Sequence, residues 1–272
     1  MFQEPGFEGK APGDGFSGKV AIVTGAGHGI GQAITLELAR RGVRVVAVDI
    51  LGQELEETAT LARSPENGSG EVKIRRVDVT RPDDVQACVD WTVQEFGRID
   101  ILVNNAGGVL GQAHKPVEAV TGEEWARIID VNLNGAFYFI RSVAPPMKAA
   151  HYGRIVNVSS GAGRSFSLTG IQAYASAKAG QIGLTRQMAR ELGAFGITVN
   201  NVAPGFVRSN PATEKQWQAM GKQNQQRLLE SISLHRLGKA QEIAYGVLFF
   251  ASDYASYISG QIISVDGGNH MF

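Results

Sequence analysis

Short apolar runs alternate with longer stretches whose apolar residues recur at helical spacing, and the alternation continues almost to the end of the chain. The first run, KVAIVTG from Lys19, is rich in β-branched residues and ends on glycine, the pattern of a strand covered on both faces. GQAITLELARRG follows with helical spacing and closes on Gly42. VRVVAVD is a second buried strand, so the three segments form one strand–helix–strand unit. Further strands are predicted at VKIRRVDV, IDILVNNAG, GRIVNVSS, ITVNNVAP and GQIISVDGG. PDDVQACVDWTVQEFG starts as a helix on Pro82 and two acids, and longer helical regions are predicted over 121–150 and 172–194. Seven strands separated mostly by helices predict an α/β fold with a doubly wound parallel sheet, because parallel neighbours need crossover helices and both sheet faces need cover. No linker interrupts the rhythm. Residues 18–272 therefore read as one domain behind a Gly-rich, acidic leader at 1–17, expected to be flexible or docked on a partner. The polar, Gln-rich segment 208–237 lies between a strand end and the last helix, where a lid over a site is expected.

Charge changes the picture by exclusion. With 26 basic and 26 acidic side chains the net charge is zero, which gives no field for holding nucleic acid or an anionic membrane. No apolar stretch reaches the length of a membrane span or a signal peptide. The single cysteine, Cys88, rules out an intrachain disulfide and a multi-cysteine zinc site, and reads as a small buried helix residue. The five histidines show no ligand spacing, so no metal is expected. A cytoplasmic protein acting on a small molecule is the expectation.

The turn after the first strand, TGAGHGIG, places Gly25, Gly29 and Gly31 where a strand gives way to a helix. Glycine leaves space for a pyrophosphate to approach the backbone, and the helix N-terminus offers free N–H groups to it. The spacing is T-G-x-x-x-G-x-G rather than the common dinucleotide fingerprint. Together with NNAG at 104–107, a serine pair at 159–160 and the Tyr174-x-x-x-Lys178 pair, it resembles the short-chain dehydrogenase/reductase family over residues 17–269. The resemblance implies a Rossmann-type fold, a nicotinamide cofactor and a homotetramer built partly from the two long helical regions. It places Gly25, Gly27, His28, Gly29, Ile30 and Gly31 against the cofactor, with Asp78 and Val79 at the adenine and Asn104, Ala106 and Gly107 after the fourth strand. Asn105 is expected to be structural. Past the sixth strand, Pro204 and Gly205 shape a turn from which Val207 and Ser209 meet the carboxamide, Ser209 standing where the family usually has Thr. Asp49 ends the second strand eighteen residues beyond Gly31, where a carboxylate binds the adenosine ribose hydroxyls and repels an extra phosphate. With His28 and Ile50 supplying no compensating cation, NAD is the expected cofactor.

Tyr174 and Lys178 stand one helical turn apart on one face. An unperturbed phenol, with a pKa of about 10, is a poor base near neutrality, and an adjacent cation is expected to lower it. Tyr174 is the expected acid/base group, and the resemblance adds that Lys178 binds the nicotinamide ribose. Ser159 and Ser160 both qualify to hold the substrate oxygen, the resemblance favouring Ser160. Asn132, an unusual mid-helix residue, resembles the family's fourth member and is expected to hold a relay water beside Lys178, with Asn134 a competitor.

The expected substrate lining is polar: Gln112, His114, Arg164, Arg208 and Asn210, with either arginine suited to clamp a carboxylate. That lining predicts NAD-linked oxidation of a secondary alcohol or lactol in a sugar, sugar acid or polyol. Reduction of a 3-oxoacyl thioester or small ketone is the alternative, and a non-catalytic NAD-binding sensor a second. The C-terminal GGNHMF is placed to reach a neighbouring subunit.

Overall fold

The computed structural model describes residues 14–64 and 70–271. Seven strands appear where the apolar runs predict them: β1 (Val20–Thr24), β2 (Arg44–Asp49), β3 (Val72–Arg76), β4 (Ile101–Asn104), β5 (Gly153–Val158), β6 (Ile197–Pro204) and β7 (Ile262–Val265). All pair in parallel in the order β3-β2-β1-β4-β5-β6-β7. The order reverses direction between β1 and β4, and the two strand ends diverge there into a crevice.

Eight α-helices cover the sheet: α1 (Gly29–Ala39), α2 (Gly52–Ala62), α3 (Pro82–Phe96), α4 (Gly122–Ile129), α5 (Gly135–Ala150), α6 (Gln172–Leu192), α7 (Pro211–Ser231) and α8 (Ala240–Ala251). Alternation along β1 shows how both faces are filled. Ala21 and Val23 face Ile34 and Leu38 of α1 and Val247 and Phe250 of α8, whereas Ile22 faces Val85 of α3 and Phe139 and Val143 of α5. Burying each large aliphatic or aromatic side chain in these layers contributes about 1.5–3 kcal/mol. Cys88 is buried in the second layer as a small apolar residue.

Three boundaries differ from the sequence pattern. Phe16 is packed into the α1/α8 layer and Asp253 donates its backbone N–H to the Asp14 carbonyl, so the packed domain starts ahead of residue 18. The rest of the expected leader, 1–13, lies outside the described residues. The helical region at 121–150 is divided into α4 and α5 by a π-helical turn, Asp130–Asn134. The lid is largely helix: α7 opens on an Asn210–Thr213 capping box with Pro211 in its first turn, and its backbone leaves helical geometry at Gly221, where φ is 69°. No helix among the described residues is long and apolar enough to cross a membrane.

Candidate active site

A crevice of about 970 Å³ opens along the C-terminal ends of the central strands. At its β1 end the backbone makes the site. Gly25 adopts φ 65°, and a Cβ on Gly31 would stand 1.9 Å from the Gly25 carbonyl oxygen, so the turn tolerates only glycine at both positions. Asn105 ties this turn down by donating its side-chain amide to the carbonyls of Thr24 and Gly25. Asp49 at the end of β2 accepts the backbone N–H groups of Gly27 at 3.0 Å and Leu51 at 3.1 Å, which fixes its carboxylate beside the crevice. Glu54, from the first turn of α2, lines the same end and adds a second carboxylate. His28, Ile30, Asp78 and Val79 line it as well. Gly27, Gly29 and Gly31 lie behind the lining and shape the turn, a Cβ on Gly29 meeting Ser209.

The reactive end is made where β4, β5 and α6 converge. Tyr174 and Lys178 both line the crevice, with Nζ 5.8 Å from the ring centre. Lys178 is 3% exposed and donates to the Val158 carbonyl at 3.0 Å and to Gln181 Oε1 at 3.2 Å. Burial holds its pKa down at about 7. Burial also pushes the Tyr174 phenol up, against the opposing pull of a hydrogen bond with Ser160. Of the two influences on the phenol, desolvation is the larger and the Ser160 hydrogen bond the smaller.

Ser160, not Ser159, stands at the phenol. Ser159 is buried and donates to Asn201 Oδ1, while Ser160 caps a short turn by accepting the Ala162 N–H at 3.1 Å. Asn132 sits in the π-helical turn, donates to the carbonyls of Ile128 and Gly108, and accepts the Gly108 N–H, each at 2.9 Å. Its competitor, Asn134, bonds Asp130 instead. A Cβ on Gly107 would meet Asn132 Oδ1 at 2.5 Å and Lys178 Nζ at 3.1 Å, so that glycine keeps the floor of the crevice low. Ala106, Gly107, Pro204, Gly205, Val207 and Ser209 all line the crevice.

Other expected site residues lie elsewhere. Asn104 is buried and donates to Asn157 Oδ1 at 2.9 Å, joining β4 to β5; Asn105, one residue on, is the asparagine at the crevice. Gln112 donates to the Glu124 carbonyl, His114 bonds the Gly170 carbonyl, and Arg164 reaches Ser264 and the Ile262 carbonyl on β7. Arg208 is held by Glu214 at 2.8 Å and lies 5.6 Å from the Trp217 ring centre. None of these four lines the crevice, because each finds a protein partner on a neighbouring segment. Asn210 does line it, with its side-chain oxygen engaged in capping α7. The crevice is lined by Val109, Leu110, Phe166, Leu168 and Phe206, interleaved with Ser167, Thr169, Arg127 and Asp130, and by Asn269 and His270 of the C-terminal segment. These wall residues carry no local motif, although the apolar FSL at 166–168 in a loop was a readable signal. The C-terminal segment folds over its own chain's crevice.

A family model described as "Enoyl-(Acyl carrier protein) reductase" matches residues 25–270. The chain is 41% identical to a 3-oxoacyl-(acyl-carrier-protein) reductase FabG of Thermotoga maritima over 251 residues, covering 92% of this chain and 97% of the relative. Among solved structures it is similar to levodione reductase, with a TM-score of 0.86 and 33% identity over 93% of this chain and 98% of that one. It is equally similar to an NAD+-bound xylitol dehydrogenase, with a TM-score of 0.86 and 34% identity over 93% and 99% of the two chains. The seven-stranded sheet and the family match over nearly the whole length agree, and the chain belongs to the short-chain dehydrogenase/reductase family of oxidoreductases that bind a nicotinamide cofactor.

Proposed function

We propose that the protein is an NAD(H)-linked reductase of a 3-oxoacyl thioester or small ketone, acting on the carbonyl through Tyr174. The observation that carries this reading is the half-buried Tyr174 phenol beside Ser160, its pKa raised by desolvation, in a crevice lined in part by Val109, Leu110, Phe166, Leu168 and Phe206. A protonated phenol suits the reductive direction, in which an acid must supply the oxygen of the forming alcohol with a proton. The name of the Thermotoga maritima relative supports the same direction and substrate class. Support for the sugar reading is weakened, because Gln112, His114, Arg164 and Arg208 turn to protein partners instead of the crevice.

A bound nicotinamide supplies two-electron hydride exchange. The protein's part is the rest. Ser160 holds the carbonyl oxygen, and the Tyr174 O–H gives that oxygen its proton. Lys178, next to Gly107 and Asn132, is placed to bind ribose hydroxyls and to return a proton toward the phenol. Asn132 fixes the 108 loop and the π-helical turn that frame this path. At the far end Asp49 and Glu54 favour ribose hydroxyls over a ribose phosphate, because two carboxylates there repel further negative charge. We also assign the protein to the cytoplasm as a homotetramer assembled partly through α5 and α6, where Phe137 remains exposed.

A second reading, NAD-linked oxidation of a polyol, is favoured by Asp49 together with the likeness to the NAD+-bound xylitol dehydrogenase. The two are separated by following NADH absorbance with a panel of 3-oxo esters and ketones, and with a panel of polyols and NAD. Reduction of the ketones, with NADH preferred over NADPH, is the expected result. Turnover of polyols alone would overturn the first reading, and turnover of neither with intact NADH binding would favour a sensor.

A further inference from the structure

We propose that Gln181 is a positioning residue for Lys178: its buried side-chain oxygen holds one N–H of the ammonium and so leaves another turned to the crevice. The proposal rests on the reading of Lys178 as the group that binds the nicotinamide ribose and returns a proton.

The starting point is a pattern in α6. Tyr174, Lys178, Gln181 and Thr185 recur at helical spacing and share one face of the helix. A helix packed on a sheet normally turns an apolar stripe to it. Here Lys178 is 3% exposed and Gln181 and Thr185 are fully buried, so the covered face carries a polar stripe.

The far end of that stripe is anchored. Thr185 Oγ1 donates to the Gln181 carbonyl at 2.7 Å and accepts the side-chain amides of Asn157 on β5 at 2.9 Å and Asn201 on β6 at 3.3 Å. These bonds fix the backbone at Gln181 against the sheet. From there the side chain turns back one helical turn, and Oε1 accepts from Lys178 Nζ at 3.2 Å. An ammonium can only donate, so the amide oxygen and not the nitrogen faces it. Gln181 Nε2 has no hydrogen-bond partner among the described residues, so the contact with Lys178 is what orients this side chain.

The ammonium has three N–H groups. One goes to the Val158 carbonyl at 3.0 Å and one to Gln181. The remaining side is that of Gly107, where a Cβ would stand 3.1 Å from Nζ, and Lys178 lines the crevice there. Without Gln181 the Val158 carbonyl alone would hold the ammonium, which could then swing about it. The groups set against Nζ carry no charge near neutrality: the Tyr174 ring on its own helix, the Val158 carbonyl on β5 and, across Gly107, Asn132. Uncharged acceptors therefore keep the cation in place in a site whose burial works against it.

The test compares the wild type with Gln181→Leu, which removes the acceptor, and Gln181→Glu, which keeps one. In the cofactor-free protein with isotope-labelled lysine, the Lys178 NMR signal is identified by its loss in Lys178→Met. It should titrate at lower pH in Gln181→Leu and at higher pH in Gln181→Glu, because an acceptor favours the charged form. Gln181→Leu should raise the Kd for NADH about tenfold, the scale of one hydrogen bond to a charged group, and Gln181→Glu should stay within about threefold of the wild type. Urea midpoints at pH 9, where Lys178 is neutral in the folded protein, should be nearly equal for the wild type and Gln181→Leu. Wild-type titration and NADH affinity in Gln181→Leu would overturn the proposal, and so would a loss of affinity matched by a lower midpoint at pH 9, which marks a packing role. Gln181→Met carries the same expectations if Gln181→Leu does not fold. None of these readouts uses a substrate, so a wild type that reduces no ketone removes the proposed function and leaves them to decide the role of Gln181. A wild type that binds no NADH removes the cofactor reading, and the lysine titration then decides alone.

Discussion

The two ends of the crevice are built on different principles. At the Asp49 end the contacts come from backbone: glycine turns, N–H groups that hold the carboxylate of Asp49, and carbonyls gripped by Asn105. At the Tyr174 end they come from side chains: Lys178 is packed out of water, which lowers its ammonium to about 7, and desolvation raises the half-buried Tyr174 phenol. The first end can bind by shape and repulsion with little perturbed chemistry, whereas the second depends on groups held in an unfavourable protonation environment. On the proposed function, selectivity for the cofactor and power over the proton would be separated along one cleft.

Substitutions that touch only one end should therefore give different signatures. Tyr174→Phe removes the acid and should lower turnover of every substrate by about 10²–10⁴-fold or more while NADH binding persists. Ser160→Ala should cost about 10²–10³ in kcat, with a smaller change in cofactor affinity. At the other end, Asp49→Asn should leave kcat with NADH close to wild type and narrow the preference for NADH over NADPH by roughly 10- to 100-fold in kcat/KM. Loss of chemistry from Asp49→Asn with preference intact would break the separation.

A subtler difference appears in stability. Lys178 has a folded-state pKa of about 7 against an ordinary 10.5. Between those values the unfolded chain binds a proton that the folded chain does not, so this residue makes stability rise with pH across that window, and its effect is flat below it. Lys178→Met should abolish that rise, as read from urea midpoints of both proteins at pH 7 and pH 9. Smallest of all, Arg208→Ala should change kcat/KM by less than about threefold, since its partners are Glu214 and the half-buried Trp217 ring.

Most of the Asp49 end was legible in the sequence, because it follows from where strands stop. A strand of period two that ends in Asp49 puts the carboxylate at the sheet edge whatever the rest of the chain does. The seven strands and the Tyr174/Lys178 pair are local patterns of the same kind. The substrate walls were not legible, for a definite reason. Gln112, His114, Arg164 and Arg208 are polar residues close in sequence to site motifs, yet each is captured by a partner set by tertiary packing: Glu124, Gly170, Ser264 and Glu214. Within NNAG, Asn104, the last strand position, turns into the β4–β5 contact, Asn105 ties down the glycine turn, and Ala106 and Gly107 line the crevice. Glu54 went unread because α2 carries no motif.

The most direct test of the side-chain end is the ionisation of the Tyr174 phenol itself, read as the tyrosinate absorbance difference between the wild type and Tyr174→Phe in the cofactor-free protein. No ionisation attributable to Tyr174 is expected as pH rises from 7 to the ordinary tyrosine value of about 10. A difference signal that titrates near neutrality would contradict burial as the dominant influence on that phenol and, with it, the reading of Tyr174 as a resident acid.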